Sequence, residues 1–385
     1  MKKSLLAFAA VACALSATAA QPAKAPAAKP AKAPAAQPAK PAAPQAQAWE
    51  DIGELRIASQ KIMKPQIDLL AKYAKFPLLP MIVHEGLGGC EFSQTFGAPG
   101  QDDEIGYRIF ANGNKVEGVL CWPVAQGADA WRKANPGKKK VGDAEPFFTA
   151  DGRYACLAET ADLAKLAAGK DFGAAGKIQK GLVSLVLRNE KFFDNIEPFI
   201  KDQAKEVAKV TGQKVELPAY HDAVCAVAKA IKSAVAKVGV SKNGLDIRMH
   251  LTARDGEAAK KTLFEQTAKI PACLKEFPTS AKEAGAEVLL EFENGKAKEG
   301  KGTDVLKAEL QKVIPEYASA KDPAFAVKIG LTPTEDAKPV GYVWLFCWRK
   351  DNGFHALVRI PAFDLAAIAA GMMQMQMDPT GGDPQ

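Results

Sequence analysis

The chain has 385 residues, with 51 Lys+Arg against 44 Asp+Glu and a formal net charge of +7. Hydrophobic residues make up 48% and charged residues 25%, which excludes a wholly disordered chain. Seven cysteines in this length exclude a small disulfide scaffold.

Residues 1–20 read as a secretory signal peptide of bacterial type. Lys2 and Lys3 supply the positive start, and Leu5 to Leu15 form an uncharged, mostly apolar run too short to span a bilayer. Ala17-Thr18-Ala19 or Thr18-Ala19-Ala20 supplies the small residues that cleavage needs. A lipoprotein reading would acylate Cys13, but Ala10 stands three residues before it where Leu is usual. No later stretch is long and apolar enough for a transmembrane segment.

Residues 21–48 contain 13 Ala, 7 Pro, 4 Lys and 4 Gln and nothing else. Such frequent proline breaks helices and favours polyproline II, so a semi-rigid spacer is expected, reaching roughly 85 Å when extended at about 3.1 Å per residue. It reads either as a tether whose lysines face anionic polymer or as a solubilising tail. Only its composition speaks to the choice, which favours the tail. Residues 1–48 hold six Lys and no acid, leaving 45 basic and 44 acidic side chains in the rest. A nearly neutral body offers no electrostatic case for nucleic acid.

From residue 49 the pattern predicts an α+β fold of antiparallel β-hairpins and Ala-rich amphipathic helices. A helical segment is expected over 50–75, with Pro65 starting a second helix there. Glycines at 169, 173 and 176 and the turn composition of 276–280 divide the body into units at 49–169, 170–278 and 279–377, followed by a disordered tail at 378–385.

Each unit carries a turn dipeptide, a strand and a helical run. These are Asp151-Gly152 before Tyr154–Ala158 and a helix at 162–169, Asn243-Gly244 before Leu245–Thr252 and a helix from Glu257, and Asn352-Gly353 before Phe354–Ile360 and a helix from Asp364. Asn-Gly and Asp-Gly between apolar runs predict type I′ hairpins, and Asn112-Gly113 and Asn294-Gly295 add two more. The cadence suggests two or three related hairpin-plus-helix units, with coincidence in an Ala-rich chain as the alternative. Leu245, Ile247, Met249 and Leu251 alternate with Asp246, Arg248, His250 and Thr252, so one face should be buried and the other wet. Helices are expected over 189–210, with Gly212 as C-cap, and over 220–238, where Val224, Val227, Ile231, Val235 and Val238 form one stripe.

Candidate chemistry is sparse. Cys90, Cys121, Cys156, Cys225, Cys273 and Cys347 remain after cleavage, and an oxidising compartment permits disulfides. Six cysteines allow fifteen pairings, between which sequence cannot choose. The shortest gap, 31 residues, removes Cys-x-x-Cys redox and zinc patterns. Cys121 and Cys347 sit beside Trp122 and Trp348 in apolar strands, where buried free thiols are equally expected.

His84, His221, His250 and His355 lie at no metal-ligand spacing; His221-Asp222 reads as a helix cap, and His250 and His355 as solvated. Gly295 to Thr303 resembles a phosphate loop between a strand (Val288 to Phe292) and a helix (Asp304 to Val313). Gly302 stands where a magnesium-binding Ser or Thr is needed, so a plain Gly/Lys loop is preferred. Glu291 with Glu293, and Asp102-Asp103-Glu104, read as solvated carboxylates rather than a glycosidase pair. No Gly-x-Ser-x-Gly elbow occurs.

Met372, Met373, Met375 and Met377 are four of the eight methionines. Their soft sulfurs suit Cu(I) if the segment is extended, and packing if it is helical. No other cofactor is indicated. The expectation is an exported periplasmic or cell-surface protein with a non-catalytic binding or structural role toward an unknown envelope protein or polymer. The alternatives are an exported hydrolase with catalytic residues dispersed along the chain, and a periplasmic Cu(I)-binding protein using the methionines.

Overall fold

A computed structural model describes residues 48–113, 115–137, 140–170, 181–198, 200–201, 204–205, 221–269, 288–293, 296–300, 302–331 and 340–366. In chain order the elements are β1 (Glu50–Ile57), α1 (Gln60–Tyr73), α2 (Leu79–Gly89), α3 (Glu91–Phe96), β2 (Ile105–Asn112), β3 (Lys115–Pro123), α4 (Ala128–Ala134), β4 (Phe147–Phe148), β5 (Tyr154–Leu157), α5 (Ala161–Ala168), β6 (Val183–Leu187), α6 (Glu190–Asp194), α7 (His221–Ala230), β7 (Ile231–Ser241), β8 (Gly244–Ala253), α8 (Glu257–Thr267), β9 (Val288–Glu293), β10 (Lys296–Ala297), α9 (Thr303–Val313), a 3-10 turn at Pro315–Ser319, β11 (Asp322–Leu331), β12 (Gly341–Lys350) and β13 (Gly353–Ile360).

All thirteen strands join one sheet in the order β10-β9-β11-β12-β13-β8-β7-β6-β1-β2-β3-β5-β4. Every neighbouring pair is antiparallel. The α+β class is therefore as expected. Both outermost strands, β10 and β4, are two residues long.

Residues directly opposite one another in a ladder share a face. One row crosses ten strands: Leu157, Leu120, Tyr107, Leu55, Leu185, Ala236, Met249, Ala356, Cys347 and Phe325. The row is apolar across these ten strands and continues on β9 as Glu291. Phe193 of α6, Ala228 of α7 and Leu263 of α8 pack onto its middle, and Phe96 of α3 and Trp131 of α4 onto the β3–β5 end. The opposite face is apolar only toward its two ends. There Leu163 and Ala167 of α5 cover Phe110, Val119 and Cys121, while Leu310 of α9 and Ile314 cover Phe346 and Leu357. Between them the same face carries Glu54, Arg56, Lys237, Arg248, His250 and His355.

Three sequence expectations are corrected. The segment 50–75 opens with strand β1, not helix, and Pro65 lies inside α1 rather than starting a helix. The helix expected over 220–238 ends at Ala230, and 231–238 belong to β7. Ile231, Val235 and Val238 fit a helical stripe by spacing, but β-branched side chains also fit a pleated surface, and pairing to β6 and β8 decides. The β7–β8 turn has Lys242 and Asn243 as its central residues, because Ser241 pairs with Gly244; positive φ falls on Gly244 (129°), not on both central residues as type I′ needs. Asn189 caps α6, accepting a hydrogen bond from the Lys191 N–H at 2.9 Å. The remainder of that helix beyond 205 with Gly212, the turn at 294–295, the breaks at 171–176 and 276–280, the helix from Asp364 beyond Ala366, and residues 1–47 and 378–385 lie outside the described residues.

Candidate binding surface

The polar side chains inside the body tie elements together. Arg359 of β13 is fully buried. Its Nε donates to Asp246 Oδ1 at 2.6 Å and its Nη2 to Asp246 Oδ2 at 2.7 Å, a two-pronged pair across β13 and β8. Its Nη1 donates to the Val313 carbonyl at 2.8 Å, at the C-terminal end of α9, and both Nη atoms reach Glu316 at 3.2 Å. Arg248 adds contacts to Asp246 and Glu316. Burial pushes the Glu316 carboxyl up, but hydrogen bonds from Arg248 and Arg359 pull it below the usual carboxylate range. Asp246, expected on a wet face, is buried because this arginine stands opposite it.

A second buried set lies under β1 and β2. Arg56 pairs with Glu54 at 3.4 Å and with Glu104 at 3.3 Å, Arg188 reaches Glu54 at 2.9 Å, and Arg108 donates to the Ala167 carbonyl of α5 at 3.1 Å. Glu104, expected to be solvated, is buried and neutralised by Arg56. Its neighbours Asp102 and Asp103 pair with Lys61 and Arg153 near the surface.

His250 and His355, expected to be solvated, face each other across β8 and β13 with ring centroids 4.2 Å apart. Trp348 stacks on His355 at 5.1 Å. Burial, then the neighbouring His250 ring, lowers His355 to about 4; burial also lowers His250. Both rings are partly buried, which strips away part of their water.

The remaining candidates stay apart. His221 lies in the first turn of α7, its ring 3.1 Å from Asp222 and 3.5 Å from the Cys225 sulfur, both local contacts within one helix. Glu291 pairs with Lys298. Gly302 takes a left-handed conformation (φ 79°) just before α9, and the Thr303 hydroxyl is turned back to the Gly300 carbonyl at 2.8 Å, a closed local loop. Met372, Met373, Met375 and Met377 lie outside the described residues. Among the described residues no three His, Cys, Asp or Glu side chains group as a metal site, and no helix is long and apolar enough to cross a membrane.

The surface that stands out is apolar. Helix α2 (LPMIVHEGLGG) buries none of its residues. Leu78, Met81 and Ile82 are 52%, 49% and 48% exposed, three of the five large hydrophobics exposed among the described residues. Pro80 at its start suits a helix N-terminus, and Gly86, Gly88 and Gly89 leave its last turn bare.

Helix α1 runs alongside. Met63, Pro65 and Ile67 of α1 and Pro80, Met81, Val83 and Leu87 of α2 line an open groove of about 610 Å³. Lys61, Lys64, Asp68 and His84 form its polar rim. Lys61 and Lys64 are 67% and 78% exposed, and their pairs to Asp102 (3.4 Å) and Asp68 (3.3 Å) are solvated contacts worth little. An apolar floor with a polar rim is the layout of a protein-binding patch.

Sequence reasoning missed this patch. Its signal was the run Leu78 to Val83, followed by three glycines, with no alternating polar face. No protein-family model, no curated protein and no solved structure matches this chain.

Proposed function

We propose that this is an exported, non-catalytic binding protein, whose α1–α2 groove takes an apolar segment of a partner protein. The exposure of Leu78, Met81 and Ile82 beside that groove carries the reading. Full burial of a large apolar side chain is worth about 1.5–3 kcal/mol; these three are half exposed, and contact with a partner recovers the share each forgoes. Over residues 60–89 the basic side chains are Lys61, Lys64, Lys72 and Lys75 and the acidic ones Asp68 and Glu85, so acidic flanks are expected on the bound segment. Export rests on residues 1–20 and the spacer at 21–48, and places the partner in the cell envelope.

The test places a photo-crosslinking residue at Met81, with Val305 on α9 as the exposed control, and identifies what is captured in cells. Met81→Ser with Ile82→Ser should then weaken titrated binding of that purified protein at least tenfold, with Tm unchanged. Equal affinity, or binding to anionic lipid vesicles in place of a protein, overturns the reading. N-terminal sequencing of the mature chain tests export, an intact Met1 arguing against it.

We also infer that the body consists of related units. The first runs strand, helices, then the strands β2, β3 and β5 and helix α5; the second runs β6, helices, the hairpin β7–β8 and α8; the third runs β9, α9 and the strands β11–β13. They adjoin first strand to first strand at β1–β6 and last to last at β8–β13, an arrangement that duplication produces simply.

A further inference from the structure

We propose that Cys121 and Cys156 form a cross-strand disulfide in the exported protein, tying β3 to β5 near the edge of the sheet. This rests on the export reading, which supplies an oxidising compartment.

The register places the two residues directly opposite each other. Their Sγ atoms are 3.6 Å apart. The ladder phase is favourable. The Val124 N–H donates to the Arg153 carbonyl at 2.8 Å, three positions further along the same pair of strands, so hydrogen-bonded pairs fall at 124/153 and 122/155. Cys121 and Cys156 therefore occupy a non-hydrogen-bonded pair, where Cα atoms lie about 4.5 Å apart and side chains are closest. That separation falls within the disulfide range of about 4.4–6.8 Å, so closure needs side-chain rotation and no backbone movement.

The other described thiols are engaged elsewhere. Cys90 contacts the Leu87 carbonyl, Cys225 contacts the His221 ring, and Cys347 is buried on the opposite face of the sheet. The local charge assists. The Cys121 thiol hydrogen-bonds to Cys156 and holds it below its ordinary pKa against the effect of burial, and Arg108 lowers it further. Exchange precedes the formation of this buried environment, so either thiolate serves as the nucleophile, Cys156 in the sequence that follows. It attacks a disulfide oxidant, either oxidised glutathione or an exported thiol–disulfide oxidoreductase, and expels one thiolate. Cys121, having lost its proton, then displaces the second. Two thiols have given up two protons and two electrons; one S–S bond has formed, and the oxidant's disulfide has become two thiols. Both sulfurs are buried in the finished fold, so exchange belongs to the stage before Leu163 and Ala167 of α5 close over them.

The experiment uses the full chain, exported and purified without reductant. It is denatured, alkylated with N-ethylmaleimide, digested and mapped by mass spectrometry. The expected result is a linked peptide pair containing Cys121 and Cys156, both escaping alkylation. Reduction should lower Tm by about 5 °C or more in the wild type and leave a Cys121→Ala, Cys156→Ala variant unmoved. Alkylation of both residues, or a link from either to another cysteine, overturns the proposal. In that event the same sample is unfolded, reduced and refolded in a glutathione redox buffer. Closure there traces the failure to the compartment and hence to the export reading; free thiols there trace it to the geometry.

Discussion

Arg359 shows how much one side chain can hold in place. It is fully buried, and it binds Asp246 on a neighbouring strand, the end of α9, and Glu316 beyond it. Removing it leaves Asp246, only 5% exposed, with its partly solvated partner Arg248 alone. Arg359→Met should therefore destabilise the fold by about 3–5 kcal/mol in denaturant titration, the cost of breaking a buried pair from one side. A loss under 1 kcal/mol would show that the pair is solvated.

The histidine pair makes a prediction in pH. His355 titrates near 4 in the folded chain against an ordinary value of 6.5, so the folded state binds its proton more weakly than the unfolded state. Its contribution is complete above about pH 6.5 and is lost as pH falls toward 4, and His250, also lowered, acts in the same direction. Tm should fall across that window, and His355→Phe, which keeps a ring against Trp348, should fall less. Identical slopes for the two proteins would sink this account. Glu316 acts at lower pH. Its folded pKa is depressed, so its contribution is present above 4.5 and lost as pH falls through the folded value.

At the scale of elements, the β1–β6 ladder depends on one small residue. A Cβ on Gly53 would stand 2.5 Å from the Val186 carbonyl oxygen, a backbone atom that cannot rotate away. Gly53→Ala should force the strands apart and cost about 1–3 kcal/mol, whereas the same change at Gly86, inside α2 with open space around it, should cost nothing and add up to about 1 kcal/mol. Equal losses measured by chemical denaturation would argue against tight apposition at that ladder.

The same scale shows what could be read from the residues alone. The strand at 245–252, the helix from Glu257 and the strand at 354–360 are where the sequence pattern puts them. Glycine-bearing dipeptides at 112–113, 151–152, 243–244 and 352–353 all sit at connections between antiparallel strands. Residues 50–57 and 231–238 failed for a shared reason. Each offers apolar side chains that suit both periods, and the decision came from distant strands: β6 and β2 for the former, β6 and β8 for the latter. The burial of Glu104 and Asp246 was equally hidden, since their arginine partners lie 48 and 113 positions away. The α2 patch was visible as a composition but carried no pattern that separated an exposed apolar run from a buried one.

At the scale of the whole molecule, the first strand of the body lies deep in the sheet. Ladders join β1 to β6 on one side and β2 on the other, with seven strands beyond β6 and three beyond β2. Deleting residues 21–48 should therefore leave far-ultraviolet circular dichroism and Tm unchanged, because β1 starts at Glu50. Extending the deletion to 58 should abolish cooperative unfolding, because it removes the strand that is hydrogen-bonded to both portions of the sheet. A cooperative transition in the longer deletion would show that the portions fold separately.

The two-residue strands at either rim of the sheet have a consequence for recognition. A long, open outer strand invites another chain to add itself by main-chain pairing, a mode that accepts many sequences and tends toward aggregation. Among the described residues, β4 and β10 present only a residue or two in that manner, and β10 covers Phe292 and Glu293 of β9. The proposed partner is therefore expected to be read through side chains, and recognition by side chains is selective where recognition by backbone is not.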